Sequence, residues 1–289
     1  MTQKIDLHIH SRISDGTCSP KEIVTLAVEN SVKVIALTDH DTIDGLQEAQ
    51  EEAQKQGVKL LKGMEFTCPY VGGRLLHILG IGIDVENPEF LKAYTRMKEK
   101  KEQSLENILG IIAKQGVNIS LQVLKERAIT KYIDRVDIAR YLLHEGIVAT
   151  AVEGWNKYLD PIPYGDDELI GVEEAFDIIQ KAGGVSVLAH YTKHIGLAGY
   201  TKEEVEQHIG YLKSKGLQAL ERYYPSFTAE EVAYADYLIE KYELLASGGT
   251  DFHGKHRPGL DVGIGSDGFY VPYSVYEAMS RAMRPSGRR

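Results

Sequence analysis

Apolar and polar residues alternate from Ile5 to His10. Ile5, Leu7 and Ile9 fall on one face and Asp6, His8 and His10 on the other, the period-two signature of a strand. The period then changes. Ser19-Pro20-Lys21-Glu22 supplies a serine cap, a proline at the first helical position and a glutamate at the third, and Ile23, Leu26 and Ala27 continue as a helical stripe. Val32–Thr38 predicts a second strand, running into Asp39-His40-Asp41-Thr42 and a helix that Gly57 closes. Residues 58–64 predict a third strand ending at Glu65, and residues 75–82 a fourth. Further on, Val185–Ala189 ends at His190, Leu217–Glu221 leads to Tyr223 and Tyr224, and Leu244–Ser247 leads to Gly248-Gly249-Thr250-Asp251-Phe252-His253. Helical stretches separate these last strands, and Thr228-Ala229-Glu230-Glu231 is a second capping box. About seven strands, mostly spaced by helices, predict an α/β protein with a parallel sheet.

Residues 88–165 break this rhythm with a long charged helix and shorter helical pieces near 120–127, 134–145 and 151–159. They are expected to form a helical insertion, a lid over the active-site face of a barrel built from 1–87 and 166–283; residues 284–289 read as a tail. The Lys92–Lys101 stretch carries Arg96, Lys98, Lys100 and Lys101 interleaved with Glu99 and Glu102, the pattern of a solvated helix face.

Composition narrows the function classes. The chain has 289 residues, 43% apolar and 26% charged, as expected of a globular protein with a well-buried core. No apolar run approaches the roughly 18 residues of a membrane span. The chain starts directly on a strand pattern, which predicts no signal peptide and a cytoplasmic protein. Cys18 and Cys68 suggest neither a disulfide framework nor a ligand-spacing pattern. A net charge of −9 argues against duplex DNA as a partner. It still allows a small anionic substrate, because bound cations reverse the local field.

The chemistry gathers at strand ends. His8 and His10, two apart in a strand, project to one face and suit chelation of one metal. Alone, such a pair is more often an ordinary couple of core or surface histidines. The rest of the chain changes that weighting. Asp15 follows the first strand, His40 the second, Glu65 the third; His77 lies on the fourth, and His190, Asp251 and His253 close later ones. In a parallel α/β barrel the C-terminal strand ends converge on one rim, where active sites sit. Imidazoles and carboxylates without thiolates suit manganese, iron, zinc or magnesium-like ions. His194 and His256 are loop candidates for a general acid or a rim position. Tyr223 and Tyr224 could stack a nucleobase or pack the rim.

Asp6-Leu7-His8-Ile9-His10-Ser11, Asp15-Gly16, Ser19-Pro20, Leu37-Thr38-Asp39-His40-Asp41-Thr42, Gly45, Gly63-Met64-Glu65, His77, Ala189-His190 and Gly249-Thr250-Asp251-Phe252-His253-Gly254 resemble the polymerase-and-histidinol-phosphatase (PHP) family. The resemblance runs from the first strand to the last. It is strongest to stand-alone bacterial PHP phosphoesterases, and it implies a distorted seven-stranded (β/α) barrel, TIM-like, with a trinuclear metal centre, most readily manganese, with iron or zinc as alternatives. It implies one metal on His8, His10, Glu65 and Asp251, a second on Glu65, His77 and His190, and a third on Asp15, His40 and His253. Relatives carry Arg-Pro-His at the helix start where this chain has Arg135-Val136-Asp137, which implies a phosphate-binding role for Arg135. Val136, Asp137, Tyr191 and Ala219 depart from the family pattern.

The implied activity is release of phosphate from a nucleoside 3',5'-bisphosphate by in-line attack of a metal-bridging hydroxide, with Asp15, Glu65 and Arg135 as the catalytic set. Alternatives are 5'-to-3' exonuclease action on short 5'-phosphorylated RNA, or a histidinol-phosphate phosphatase. Tyr223, Tyr224, His194 and His256 complete the expected substrate side. Two readings of other classes stand beside it: an amidohydrolase, which also starts on H-x-H and ends on an aspartate, and a PHP domain that no longer catalyses.

Overall fold

The computed structural model describes residues 3–283; the expected tail at 284–289 lies outside them. The chain forms two compact units, Met1–Leu91 with Gly171–Arg289, and Lys92–Ile170. The second begins and ends a few residues later than the 88–165 insertion expected from sequence.

The first unit is one eight-stranded sheet rolled into a nearly closed barrel. Its strands are β1 (Lys4–Ile9), β2 (Val32–Leu37), β3 (Lys59–Tyr70), β4 (Arg74–Ile81), β5 (Val185–Leu188), β6 (Ala219–Tyr223), β7 (Leu245–Gly248) and the short β8 (Val271–Pro272), in the order β7-β6-β5-β4-β3-β2-β1-β8. Helices α1 (Pro20–Glu29) and α2 (Leu46–Gln56) follow β1 and β2. The capping boxes at Ser19 and Thr228 both form, and Gly57 ends α2 with a left-handed φ of 72°. Ile5 and Leu7 pack with Val34, Ala36, Leu79, Val187 and Ala219, whereas Ile9 joins Ile23, Ala27, Ile35, Leu37 and Ala53 beneath α1 and α2.

The sheet departs from an all-parallel one at β4. β3 runs five residues past Glu65, to Tyr70, and pairs antiparallel with β4, which in turn pairs antiparallel with β5. The reason is local. Only Val71–Gly73 joins β3 to β4, with Gly72 and Gly73 at φ 70° and 75°, and a parallel crossover needs roughly a dozen residues or more. Because β4 runs the other way, His77 opposite Thr67 still reaches the rim that carries the C-terminal ends of its neighbours.

β7 and β1 are joined differently. Ile9 bridges Phe252, the His10 amide donates to the Phe252 carbonyl at 2.9 Å, and the Asp251 amide donates to the His8 carbonyl at 2.8 Å. The loop that carries Asp251 and His253 thus spans the seam between β7 and β1.

In the second unit, α3 (Pro88–Ala113, entering from the first unit), α4 (Leu121–Arg127), α5 (Arg135–His144), α6 (Ala151–Gly154) and a π-helical turn at Trp155–Leu159 enclose their own core, with Leu105, Ile108, Ile112, Leu124, Ile138, Leu142 and Leu159 buried together. The expected solvated face of α3 holds at Lys92, Glu99 and Lys100, which are exposed, and is corrected at two lysines. Lys98 and Lys101 are 1% and 8% exposed, and Lys98 Nζ donates to Asp134 Oδ2 at 2.8 Å. The remaining helices, α7 (Val172–Lys181), α8 (Lys202–Lys215), α9 (Ala229–Lys241) and α10 (Tyr273–Ala282), belong to the barrel unit. Among the described residues no helix is long and apolar enough to cross a membrane.

Candidate metal centre

Glu65 is the hub. It is fully buried, and its two oxygens face a ring of imidazoles. Oε2 lies 3.2 Å from His8 Nε2, 3.0 Å from His10 Nε2 and 3.1 Å from His40 Nδ1; Oε1 lies 3.0 Å from His77 Nδ1 and 3.3 Å from His190 Nε2. Asp251 closes the other side, with Oδ1 3.4 Å from His8 Nε2, 3.3 Å from His10 Nε2 and 3.4 Å from His253 Nδ1. Asp15 Oδ2 stands 3.2 Å from His253 Nε2 and 3.7 Å from His40 Nε2.

The backbone at these positions is forced. Asp41, His190 and Asp251 adopt φ of 48°, 26° and 53°, a region that residues other than glycine rarely enter, and such strain concentrates at functional sites. Beside them, a Cβ on Gly249 would stand 2.4 Å from the His8 amide nitrogen, so only glycine lets the seam-spanning loop reach β1.

The donor set fits cations. Potential ligand atoms of His10, Asp15, His40 and His253 lie within 4.8 Å of one another, as do those of His8, His10 and Glu65, of His8, His190 and Asp251, and of His40, Glu65 and His77. The groups share members, and His190 joins His8 and Asp251 as well as approaching Glu65. His10 Nδ1 and Nε2, His40 Nδ1 and His190 Nδ1 are buried without a hydrogen-bond partner. Buried imidazole nitrogens without partners are costly. Around His10 and His40 carboxylate oxygens stand near these nitrogens without the alignment of a hydrogen bond, leaving space between them that a cation would fill.

The electrostatics divide the ligands: the carboxylates stay charged, while burial of His8 and His10 is outweighed by the acids around them, which raise His8 well above its ordinary value and His10 to about 9. Burial would raise Glu65, yet His77, His8 and His40 hold it well below the usual carboxylate range; burial likewise opposes Asp251, which His8, Arg257 and His253 hold down. Burial pushes His40 down to about 3, the neutral form a metal needs.

The family model of the PHP domain matches residues 6–181. The chain belongs to the PHP family. A 5'-3' exoribonuclease of Haemophilus influenzae is 30% identical over 255 residues, covering 88% of this chain and 91% of its own. A 3',5'-nucleoside bisphosphate phosphatase of Chromobacterium violaceum is 28% identical over 286 residues, covering 98% and 99%. A solved Chromobacterium violaceum structure, described as an amidohydrolase with bound sulfate and no metal, superposes with a TM-score of 0.80 at 28% identity over 97% of each chain. The protein is a metal-dependent phosphoester hydrolase of the PHP family.

Around the PHP centre, other side chains hold the ligands in place. Glu221, wholly buried, takes His8 Nδ1 at 3.0 Å on one oxygen and the His190 amide at 2.6 Å on the other. That contact fixes the tautomer that points His8 Nε2 inward. Asp6 accepts from the Thr250 hydroxyl at 2.6 Å, the Thr250 amide at 2.9 Å and the Gly263 amide at 2.8 Å, while burial pushes its carboxyl up to about 6. Asp39 accepts from Ser11 and Ser14 and shapes the loop before Asp15.

The expected substrate residues separate. Tyr224 donates its hydroxyl to Asp251 Oδ2 at 2.9 Å, its ring 5.8 Å from that of His190. Tyr223 packs against the barrel core instead. His256 Nδ1 lies 2.8 Å from the Asp15 carbonyl, and His194 is exposed.

Arg135, whose motif implies a phosphate-binding role, lies among carbonyls of the second unit. It is 5% exposed within the second unit, where it donates to the carbonyls of Leu159, Ile162 and Pro163, approaches Glu168 at 3.5 Å and lies over the Tyr164 ring. The helix start beside it is closed by the chain's own acids: Asp134 caps Val136, and Asp137 reaches back to the Asp134 amide. Sequence reasoning missed Glu221 as an orienting group, although an acid ending an apolar strand signals one. It also missed Arg257, which nothing in the pattern marks.

Proposed function

We propose that this centre releases phosphate from a nucleoside 3',5'-bisphosphate, with three divalent cations, manganese foremost, on His8, His10, Asp15, His40, Glu65, His77, His190, Asp251 and His253. The carrying observation is the Glu65 carboxylate, buried and offering an oxygen to imidazoles on either side. One carboxylate shared in this way suits neighbouring cations. The cations, when bound, would supply a nucleophilic water at neutral pH and positive charge for the phosphoryl oxygens. The chain's own residues do the rest. Glu65 and Asp251 keep the negative charge that attracts cations, Glu221 orients His8, and His256 steadies the Asp15 loop. The bisphosphate reading is supported by the full-length likeness to the Chromobacterium phosphatase. The Haemophilus relative supports a second reading, removal of nucleotides from short RNA.

A phosphate-release assay with manganese decides, comparing a nucleoside 3',5'-bisphosphate, short 5'-phosphorylated RNA, histidinol phosphate and an amide substrate. The expected outcome is turnover of the bisphosphate at least about tenfold above the others, a difference of about 1.4 kcal/mol in transition-state binding. A manganese-loaded protein that hydrolyses only the amide, or nothing, overturns the reading.

A further inference from the structure

Arg257 follows the short 3-10 turn Gly254–His256, just beyond His253. Among the described residues all its side-chain hydrogen bonds run through one nitrogen. Nη1 donates to Asp251 Oδ2, to the Asp251 carbonyl at 3.2 Å and to the Tyr224 oxygen at 3.1 Å. Among the described residues Nε and Nη2 have no hydrogen-bond partner, and the side chain is 39% exposed. In a guanidinium Nη1 lies on the Cδ side, so Nε and Nη2 form the opposite edge, with parallel N–H bonds spaced for two oxygens of one phosphate. Arg257 is pinned at one corner and open along its fork.

The place of that fork matters. Asp251 gives Oδ2 to Arg257 and turns Oδ1 to the nitrogens of His8, His10 and His253. Asp251, itself one of the proposed ligands, links the guanidinium to the others. Lys193, with Nζ 5.7 Å from the centre of the Tyr224 ring, adds a second cation beside the same tyrosine.

We propose that Arg257 is a catalytic residue that takes two oxygens of the phosphoryl group on its Nε–Nη2 edge while Nη1 holds Asp251. The assignment rests on the phosphoester-hydrolysis reading and sharpens it. A phosphomonoester has three non-bridging oxygens and can give two to the fork and one to the metal centre. A diester has only two, so the fork and the metal centre must share an oxygen. Arg257 therefore favours monoesters.

The test compares wild type, Arg257→Lys and Arg257→Gln in the manganese-loaded full chain. It measures bound manganese by mass spectrometry, inorganic phosphate binding by calorimetry, and kcat/KM on a nucleoside 3',5'-bisphosphate and on bis(p-nitrophenyl) phosphate. Lysine keeps a charge for Asp251 but has no fork. The expected result is full manganese in Arg257→Lys, phosphate affinity about tenfold lower, and kcat/KM lowered about a hundredfold on the monoester and under about threefold on the diester. Arg257→Gln should show the larger loss of phosphate binding. Phosphate affinity within about twofold of wild type per bound manganese in both variants would overturn the assignment, leaving Arg257 a positioning residue for Asp251. Equal losses on both esters would overturn the selectivity. A wild type that hydrolyses no phosphoester would instead sink the underlying function, while the phosphate-binding comparison still judges Arg257.

Discussion

An imidazole has two nitrogens, and a metal uses one, so whatever holds the other sets the aim of the ligand. For His8 that partner is Glu221, buried and bonded at 3.0 Å. Glu221→Gln should lower manganese affinity by about 10- to 100-fold, because the amide offers no charge to hold Nδ1–H and can turn its NH2 inward. Titration of metal-free protein measures this, and an unchanged dissociation constant would refute the role. At this scale the sequence is most legible where residue type alone carries the chemistry. His8, His10, Glu65 and Asp251 stand out because strand alternation and strand ends restrict where their side chains go. Arg257 lies in a loop with no period, and its role depends on which of its nitrogens are already used. Arg135 shows the converse. Its motif gave the type, whereas the carbonyls of its own unit that meet Nη1 and Nη2 are partners that sequence spacing does not record.

Among elements, strand positions were legible and strand direction was not. A period of two says that residues 75–82 form a strand, yet only the short glycine turn before β4 decides that it runs antiparallel. The charged pattern of α3 misled for a related reason. Lys98 has a sequence-distant partner in Asp134, at the cap of α5. Burial works against the Asp134 carboxylate, but Lys98 and Lys101 outweigh it and hold the group well below its ordinary value. A carboxyl depressed in this way binds fewer protons in the folded than in the unfolded chain once the pH drops toward about 4. Its stabilisation is therefore complete at neutral pH and is lost as pH falls through the folded value. Asp134→Asn should cost about 3–5 kcal/mol at pH 7, since it removes the carboxylate to which a buried ammonium donates. It should also make stability fall less steeply between about pH 5 and 3. Urea titrations across that range check both, and parallel curves for variant and wild type would refute the second.

Across the molecule, a net charge of −9 and a rim crowded with carboxylates make the folded state the better host for cations than the unfolded chain. Ions that bind only the folded barrel should stabilise it by about 2.7 kcal/mol when present at about a hundred times their dissociation constant. Chelation should thus lower the unfolding temperature seen by far-ultraviolet circular dichroism, and added manganese should restore it. A midpoint indifferent to chelator would argue against the centre. The loop at 249–253 gives this a practical edge. The same few residues span the seam between β7 and β1 and present Asp251 and His253. Alterations that loosen this joint also disarm ion capture, so across a library of variants in this stretch a melting curve with and without chelator would double as an inexpensive gauge of the chemistry.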